Sequence, residues 1–216
     1  MTEGDARAQI VAGALELERL GLNRGTAGNL SVRVGEAALV TPSGVPPRKL
    51  RPDMIARMPL GDTAGAYEGP LPPSSEWRFH LDIYRARPDV GAVAHMHSTY
   101  ATVLATLRRP IPAVHYMIAA FGGPDVPCVG YASYGTPELS RLVVEGLRDR
   151  DGALLANHGA IVVGPELGKA LWRAAELEAL AQVYYLAALA GEPVILPDDE
   201  IFRTVERFKS YGPRKD

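Results

Sequence analysis

Hydrophobic and polar positions follow two different periods along this chain, which separate helices from strands. Apolar residues recur every three or four positions in six segments that begin near cap residues and end near glycine or proline. The predicted helices cover residues 3–20, 74–87, 98–107, 136–150, 165–190 and 198–211. Shorter apolar runs bounded by turn residues predict strands at 29–34, 37–41, 54–59, 90–97, 111–114, 126–129 and, as an interrupted pair, 153–163.

The order of these elements predicts one domain, 1–216, in which helices and strands mix. No repeat, low-complexity tract or flexible linker divides the 216 residues, of which 47% are hydrophobic. A chain of this length builds one substantial core. Several strands follow each other too closely for a crossover helix, so we expect an α/β or α+β fold with a largely antiparallel or mixed sheet covered by helices.

Charge and cysteine content exclude several functional classes. The formal net charge of −2 gives no general attraction for nucleic acid or anionic membranes. No apolar segment approaches the length of about 18 residues that spans a bilayer, and the polar start of the chain predicts no signal peptide. The single cysteine, Cys128, has apolar neighbours and suits a structural thiol in a reducing compartment. We therefore expect a cytoplasmic protein.

A pair of alternating histidines indicates a metal site. In an extended segment at 90–97, His95 and His97 point to the same side as Val93, so both imidazoles can reach one ion. His158, between Asn157 and Gly159 in a strand-end turn, supplies a third ligand. A site with three protein ligands leaves a coordination position open for substrate. The alternative is a set of hydrogen-bonded core histidines, which we favour for His80 and His115.

Three short loops have the composition of anion-binding segments. Glycine allows backbone amides to approach an anion, Ser and Asn side chains donate hydrogen bonds, and a helix beginning near Ser74 adds free amides and a positive dipole end. Each loop alone is better explained as an ordinary turn or cap, and it is their joint presence in one small domain that indicates anion binding. The residues concerned are Gly28, Asn29, Ser43, Gly44, Ser74 and Ser75.

Glu76 is the acid best placed to act as a general base, because it follows the two serines directly. The local sequence supports equally well a structural role, in which Glu76 is a favourable charge in the first turn of a helix. The chain has four lysines, all amid charged or turn residues or on a helix, and this gives little support for a Schiff base. Carbanion chemistry would therefore need a metal.

Several of these segments, in this order, resemble the class II aldolase/adducin-head family. Within it, the nearest resemblance is to the branch that acts on L-fuculose 1-phosphate. The similarity extends over almost the whole chain. It is carried by Gly28-Asn29, Thr41-Pro42-Ser43-Gly44, the segments 73–80 and 111–120, the His95/His97 pair, Asn157-His158-Gly159 and Lys209-Ser210-Tyr211-Gly212.

The resemblance implies a fold, an assembly and a set of site residues. The fold would be a three-layer α-β-α domain around a mainly antiparallel sheet of about nine strands, assembled as a C4 homotetramer with active sites at subunit interfaces. Zinc would be held by His95, His97, His158 and Glu76, with Glu76 leaving the metal to become the acid/base. The substrate phosphate would lie against Gly28, Asn29, Ser43, Gly44, Ser74 and Ser75. Tyr116 from a neighbouring subunit and Tyr211 on a C-terminal tail would complete the site.

The implied reaction is the reversible cleavage of a ketose 1-phosphate, such as L-fuculose 1-phosphate or a similar deoxyketose 1-phosphate. The products would be dihydroxyacetone phosphate and a short aldehyde such as L-lactaldehyde, and a Lewis-acidic metal would stabilise the enediolate left by cleavage. The same fold also hosts ribulose-phosphate 4-epimerases, sugar-phosphate dehydratases and metal-free adducin-like interaction modules. The epimerase branch expects His-Ala-Asp where this chain has His115-Tyr116-Met117, and a scaffold has no need of an open metal site, so the aldolase interpretation is preferred.

Overall fold

A computed structural model describes residues 2–209 and contains the six helices that the apolar periodicity predicts. Glycine ends the first of them: Gly21 follows the helix with a φ of +71°, a left-handed conformation that suits a residue without a Cβ. The helices are α1 (Glu3–Arg19), α2 (Trp77–Ala86), α3 (Thr99–Thr106), α4 (Pro137–Gly146), α5 (Leu167–Ala190) and α6 (Asp198–Phe208). A 3₁₀ helix covers Tyr116–Phe121.

Nine strands form two sheets in the described part of the chain. They are β1 (Asn29–Val34), β2 (Ala37–Val40), β3 (Ala56–Pro59), β4 (Ala92–Met96), β5 (Ile111–Pro112), β6 (Asp125–Val126), β7 (Cys128–Val129), β8 (Gly152–Leu155) and β9 (Gly159–Gly164). The main sheet has seven strands in the order β3-β2-β1-β4-β9-β8-β7, and β5 pairs separately with β6. Every pair is antiparallel except β7 with β8. The expected sheet of about nine strands is therefore a seven-stranded sheet with a separate two-stranded one.

Each face of the main sheet has its own hydrophobic core, which confirms the three-layer α/β architecture. One core joins the sheet to α1, α3, α5 and α6, and the other joins it to α2 and α4. Along β4, Ala94 and Met96 face the first core and Val93 faces the second, as the alternation of the strand requires. His95 is on the same face as Val93, so α2 lies over the histidine.

Two helix starts differ from the sequence-based prediction. Helix α2 begins at Trp77 with Glu76 itself at the N-cap, so Glu76 lies at the helix entrance and not inside the first turn. Ser98 occupies the N-cap of α3 but makes no capping bond. The carboxylate of Glu178, from α5, instead accepts from the amides of Tyr100 and Ala101 at 2.8 and 2.9 Å. A distant acid has replaced the local serine as the cap.

One strand and one helix are shorter than predicted. The third strand begins at Ala56, because residues 52–54 form a 3₁₀ turn. Helix α4 ends at Gly146, and the guanidinium of Arg87 binds the carbonyl oxygens of Leu147 and Arg150 beyond it at 2.6 and 3.2 Å. No helix in residues 2–209 is long and apolar enough to cross a membrane.

Candidate active site

One cleft of about 430 Å³ brings together most of the residues that the sequence singled out. It contains all six predicted anion-binding positions, together with Glu76 and two of the three histidines, while His95 is fully buried beneath it. The lining residues are Thr26, Ala27, Gly28, Asn29, Pro42, Ser43, Gly44, Ser74, Ser75, Glu76, His97, Tyr131, Ala132, Tyr134, Asn157 and His158.

The histidines converge because the end of β4 lies against the start of β9. Met96 is paired with Ala160, and His97 follows the last residue of the strand. At Gly159, a Cβ atom would lie 2.4 Å from the carbonyl oxygen of Met96 and 2.9 Å from the His97 ring. Only glycine permits this approach, which brings His158 to the same point as the histidine pair.

The ligand atoms have the spacing of a metal site. The ring nitrogens of His95, His97 and His158 all lie within 4.8 Å of one another, and the three rings are steeply tilted to each other, at 74–78°. His95 Nε2 is 3.0 Å from His97 Nε2 and 3.2 Å from Glu76 Oε2, while Glu76 Oε1 is 3.3 Å from His158 Nε2. Glu76 Oε1 is also buried without a hydrogen-bond partner in the described structure. These four donors fit a tetrahedral cation, whose ligand atoms are about 3.3 Å apart.

Contacts behind the histidines orient their rings. His95 Nδ1 is 2.9 Å from the carbonyl oxygen of Ala160, so Nδ1 carries the proton and Nε2 presents a lone pair to the cluster. Asn23, which the sequence analysis did not single out, connects both members of the pair. Its Oδ1 accepts from the backbone N–H of His97 at 2.9 Å, and its Nδ2 is 3.4 Å from the carbonyl oxygen of His95. Buried polar partners of this kind fix ligand geometry.

The loops opposite the histidines form a wall of unpaired backbone donors. Ser43 N–H donates to Pro72 and Ser74 N–H donates to Thr41, which holds two of the loops side by side. Within residues 2–209, the amides of Gly28, Gly44 and Ser75 donate to no protein acceptor. Helix α2 begins beside them, so its positive dipole end also faces the cleft. Among the lining residues that the structure describes there is no lysine or arginine, so these would bind an anion through neutral dipoles.

Comparison with known proteins places this site in a family. The sequence model of the Class II Aldolase and Adducin N-terminal domain family matches residues 8–185. The chain belongs to the class II aldolase family. It is 50% identical over 206 residues to a 5-methylthioribulose-1-phosphate/5-deoxyribulose-1-phosphate aldolase of Rhodospirillum rubrum, covering 95% of this chain and 92% of the relative.

Two further relatives support the same assignment. The aldolase is 48% identical over 207 residues to the L-fuculose phosphate aldolase of Escherichia coli K12, with 95% of each chain covered. A solved structure of an L-fuculose 1-phosphate aldolase superposes with a TM-score of 0.91 at 41% identity, covering 95% of this chain and 96% of that one. The protein is thus a lyase of the metal-dependent class, and His95, His97 and His158 could hold its metal.

The electrostatics of the aldolase site suit cation binding. Burial raises the pKa of Glu76, but His95, His158 and a hydrogen bond from Asn29 outweigh it and lower the pKa to about 2. Burial and the nearby His95 lower the pKa of His97 and of His158 to about 4. Near neutral pH Glu76 is therefore ionised and His97 and His158 are unprotonated, which is the state that binds a metal.

Some predicted residues lie elsewhere. Tyr116 is half exposed and outside the cleft, with its ring 6.4 Å from that of Phe208 on α6. Tyr211 lies outside the described residues. His80 is fully buried and hydrogen-bonded, as the core interpretation expects, whereas the same interpretation is wrong for His115, which is exposed. Tyr131 and Tyr134 line the cleft and were missed, because isolated tyrosines in a loop give no periodic signal.

Proposed function

We propose that this aldolase reversibly cleaves a deoxyketose 1-phosphate into dihydroxyacetone phosphate and a short aldehyde. The observation that carries the proposal is the joining, in one cleft, of a three-histidine cluster with Glu76 and a wall of unpaired amides. The relatives are named for L-fuculose phosphate and for 5-methylthioribulose or 5-deoxyribulose 1-phosphate. Both kinds are ketose phosphates, so L-fuculose 1-phosphate, which would yield L-lactaldehyde, and 5-deoxyribulose 1-phosphate are the two candidate substrates.

The proposed metal is zinc, held by His95, His97, His158 and, before substrate binds, Glu76. Neutral imidazoles and one carboxylate are ligands that zinc prefers. When bound, such a cation polarises a carbonyl oxygen and stabilises the negative charge that carbon–carbon cleavage leaves. Glu76 must turn away for a substrate with two oxygen ligands to be held.

Glu76 is the proposed acid/base. In the direction of synthesis it takes a proton from the carbon next to the carbonyl group, and in cleavage it returns that proton.

The phosphate is assigned to Gly28, Asn29, Ser43, Gly44, Ser74 and Ser75. The unpaired amides of Gly28, Gly44 and Ser75 and the entrance of α2 support this assignment. Both N–H groups of the Asn29 side chain already donate within the protein, to Ser74 Oγ at 3.0 Å and to Glu76 Oε2 at 2.9 Å. Asn29 would therefore contact the phosphate only by giving up one of these two bonds, because its backbone is paired with His95 in the sheet.

Two tyrosines and a tetramer complete the proposal. Tyr116 would exchange a proton at the aldehyde oxygen of a neighbouring subunit's substrate, since in its own chain it lies outside the cleft. Tyr211 would act from the C-terminal tail. The whole chain, 1–216, would be one domain, assembled as a C4 homotetramer in the cytoplasm, where a single cysteine is compatible with a reducing environment.

The test combines metal analysis with product analysis. Purified protein should carry about one divalent metal ion per chain and release dihydroxyacetone phosphate from one of the two candidate substrates, with activity lost on chelation and restored by zinc. Glu76→Gln should retain the metal and lose most turnover, whereas the exposed control Glu145→Gln should behave as wild type. Full activity without metal, or epimerisation of the ketose without release of dihydroxyacetone phosphate, would overturn the proposal.

A further inference from the structure

A continuous chain of buried side-chain hydrogen bonds connects the hydrophobic core to Glu76. Tyr84 OH is 2.7 Å from Ser31 Oγ, Ser31 Oγ is 2.7 Å from His80 Nδ1, and His80 Nε2 is 2.5 Å from Asn29 Oδ1. Asn29 Nδ2 then reaches Glu76 Oε2 at 2.9 Å.

This chain lies at the contact between one helix and one strand. Glu76, His80 and Tyr84 are four residues apart along α2, and Asn29 and Ser31 are two residues apart on β1, so each set lies on one face of its element. Ser31 and His80 are completely inaccessible to solvent, and Tyr84 is 1% exposed. Apolar side chains would fill this space at a lower desolvation cost, so the polar chain is expected to serve the site.

The charge of Glu76 determines the direction of every hydrogen bond in the chain. An ionised carboxylate only accepts, so Asn29 must present its Nδ2 to Glu76 and its Oδ1 to His80. His80 Nε2 must then carry a proton. Burial lowers the pKa of His80 to about 3, so the ring is neutral and its bare Nδ1 accepts from Ser31, which in turn accepts from Tyr84.

We propose that His80 is a positioning residue for the aldol reaction: its Nε2–H holds the Asn29 amide in the orientation that donates to Glu76. This inference rests on the proposed acid/base role of Glu76. Because Asn29 holds Oε2, only the other carboxylate oxygen is left for proton transfer. Oε1, which has no hydrogen-bond partner in the described structure and lies 3.3 Å from His158 Nε2, is then the oxygen that exchanges the proton.

Two nearly isosteric variants distinguish the roles of the two ring nitrogens of His80. The amide nitrogen of Gln occupies the position of Nε2 and can still donate to Asn29, whereas Asn reaches only the position of Nδ1. His80→Asn should lower kcat by about 10- to 100-fold, with a much smaller change in KM and an unchanged metal content, and His80→Gln should recover most of the loss. The assay is cleavage, by the zinc-loaded protein, of whichever candidate ketose 1-phosphate it cleaves faster.

A control and a double variant distinguish positioning from simple destabilisation. Ser140→Ala removes a part-buried 2.6 Å hydrogen bond to Asp82, a residue of α2 that does not line the cleft, and should lower the melting temperature without lowering kcat. In an Asn29→Ala background, His80→Asn should cost no further kcat, because its effect passes through Asn29. Equal losses in His80→Gln and His80→Asn, or additive losses with Asn29→Ala, would overturn the inference.

A spectroscopic measurement tests the inference even where a variant fails to fold. The ¹⁵N chemical shifts of His80 in the wild-type protein should report the neutral Nε2–H tautomer, and the Nδ1–H tautomer would overturn the proposed orientation of Asn29. Full activity of Glu76→Gln would instead refute the proposed function while leaving the tautomer result intact. The two failures are therefore distinguishable.

Discussion

Gly28→Ala should damage the metal site through Asn23, which supports the histidine pair from behind. A Cβ atom at Gly28 would lie 2.2 Å from Asn23 Nδ2 and 2.5 Å from its Oδ1, so the buried amide would have to move. Asn23 is the residue that binds the backbone of both His95 and His97. Gly25 offers a matched control in the same loop, because its φ of +63° resembles the +73° of Gly28 but a Cβ there meets nothing within 4 Å.

The expected magnitudes follow from these contacts. Placing alanine in a left-handed conformation costs about 1–2 kcal/mol, which is all that Gly25→Ala should lose in free energy of unfolding. Gly28→Ala should also leave the partly buried His97 N–H without its acceptor, which adds about 1–3 kcal/mol. Its total loss should therefore be about 2–5 kcal/mol. The affinity for zinc should fall about 10- to 100-fold, because the support behind the histidine pair is lost.

Chemical denaturation of the metal-free proteins gives the unfolding free energies, and competition with a chelator gives the zinc affinities. Neither measurement uses substrate, so the proposed contact of Gly28 with phosphate does not affect the result. Equal destabilisation of the Gly25 and Gly28 variants, or an unchanged zinc affinity in Gly28→Ala, would refute the role given to Asn23.

Two other predictions concern pH and the cap of α3. Burial and the nearby His95 lower the pKa of His80 from 6.5 to about 3 in the folded state, so the unfolded chain binds the extra proton and stability should fall as pH drops from 6.5 towards 3. The measurement is the free energy of unfolding of metal-free protein, determined by denaturation at a series of pH values. His80→Phe should reduce the slope of this free energy against pH by up to about 1.4 kcal/mol per pH unit, and an unchanged slope would contradict the buried neutral state. Glu178→Gln should lower the free energy of unfolding by about 1–2 kcal/mol, because the single amide oxygen replaces two carboxylate oxygens that accept from the Tyr100 and Ala101 N–H groups. Unfolding by urea measures this loss, and wild-type stability of the variant would argue against the cap.

The parts of the site that the sequence predicted are those with local signals. Alternation along β4 was sufficient to place His95 on one face with Val93, and the glycine after His158 marked the tight approach that the structure contains. The loops were singled out for their clusters of Gly, Ser and Asn, a composition that ordinary turns share, and the structure places all six residues around the cleft. Local patterns of this kind depend only on residues that lie a few positions apart in the sequence.

The parts that were missed depend on contacts between distant segments. Glu178 caps α3 from about 80 positions away, while Ser98 at the N-cap makes no side-chain capping bond. Asn23 follows α1 without any pattern that connects it to β4. The four-residue spacing of Glu76, His80 and Tyr84 was present in the sequence, but a polar stripe on a helix usually faces solvent, and here it faces a strand.

Strand register is the physical link between the predicted and the missed parts. Asn29 pairs with His95 and Ser31 pairs with Val93, so the polar face of β1 meets the histidine face of β4. The apolar residues between them, such as Leu30, belong to the core on the other side of the sheet, and a slip of one residue would bury Asn29 and Ser31 there. The hydrophobic alternation of β1 therefore does more than form a core, because it also fixes which of its polar side chains can reach Glu76.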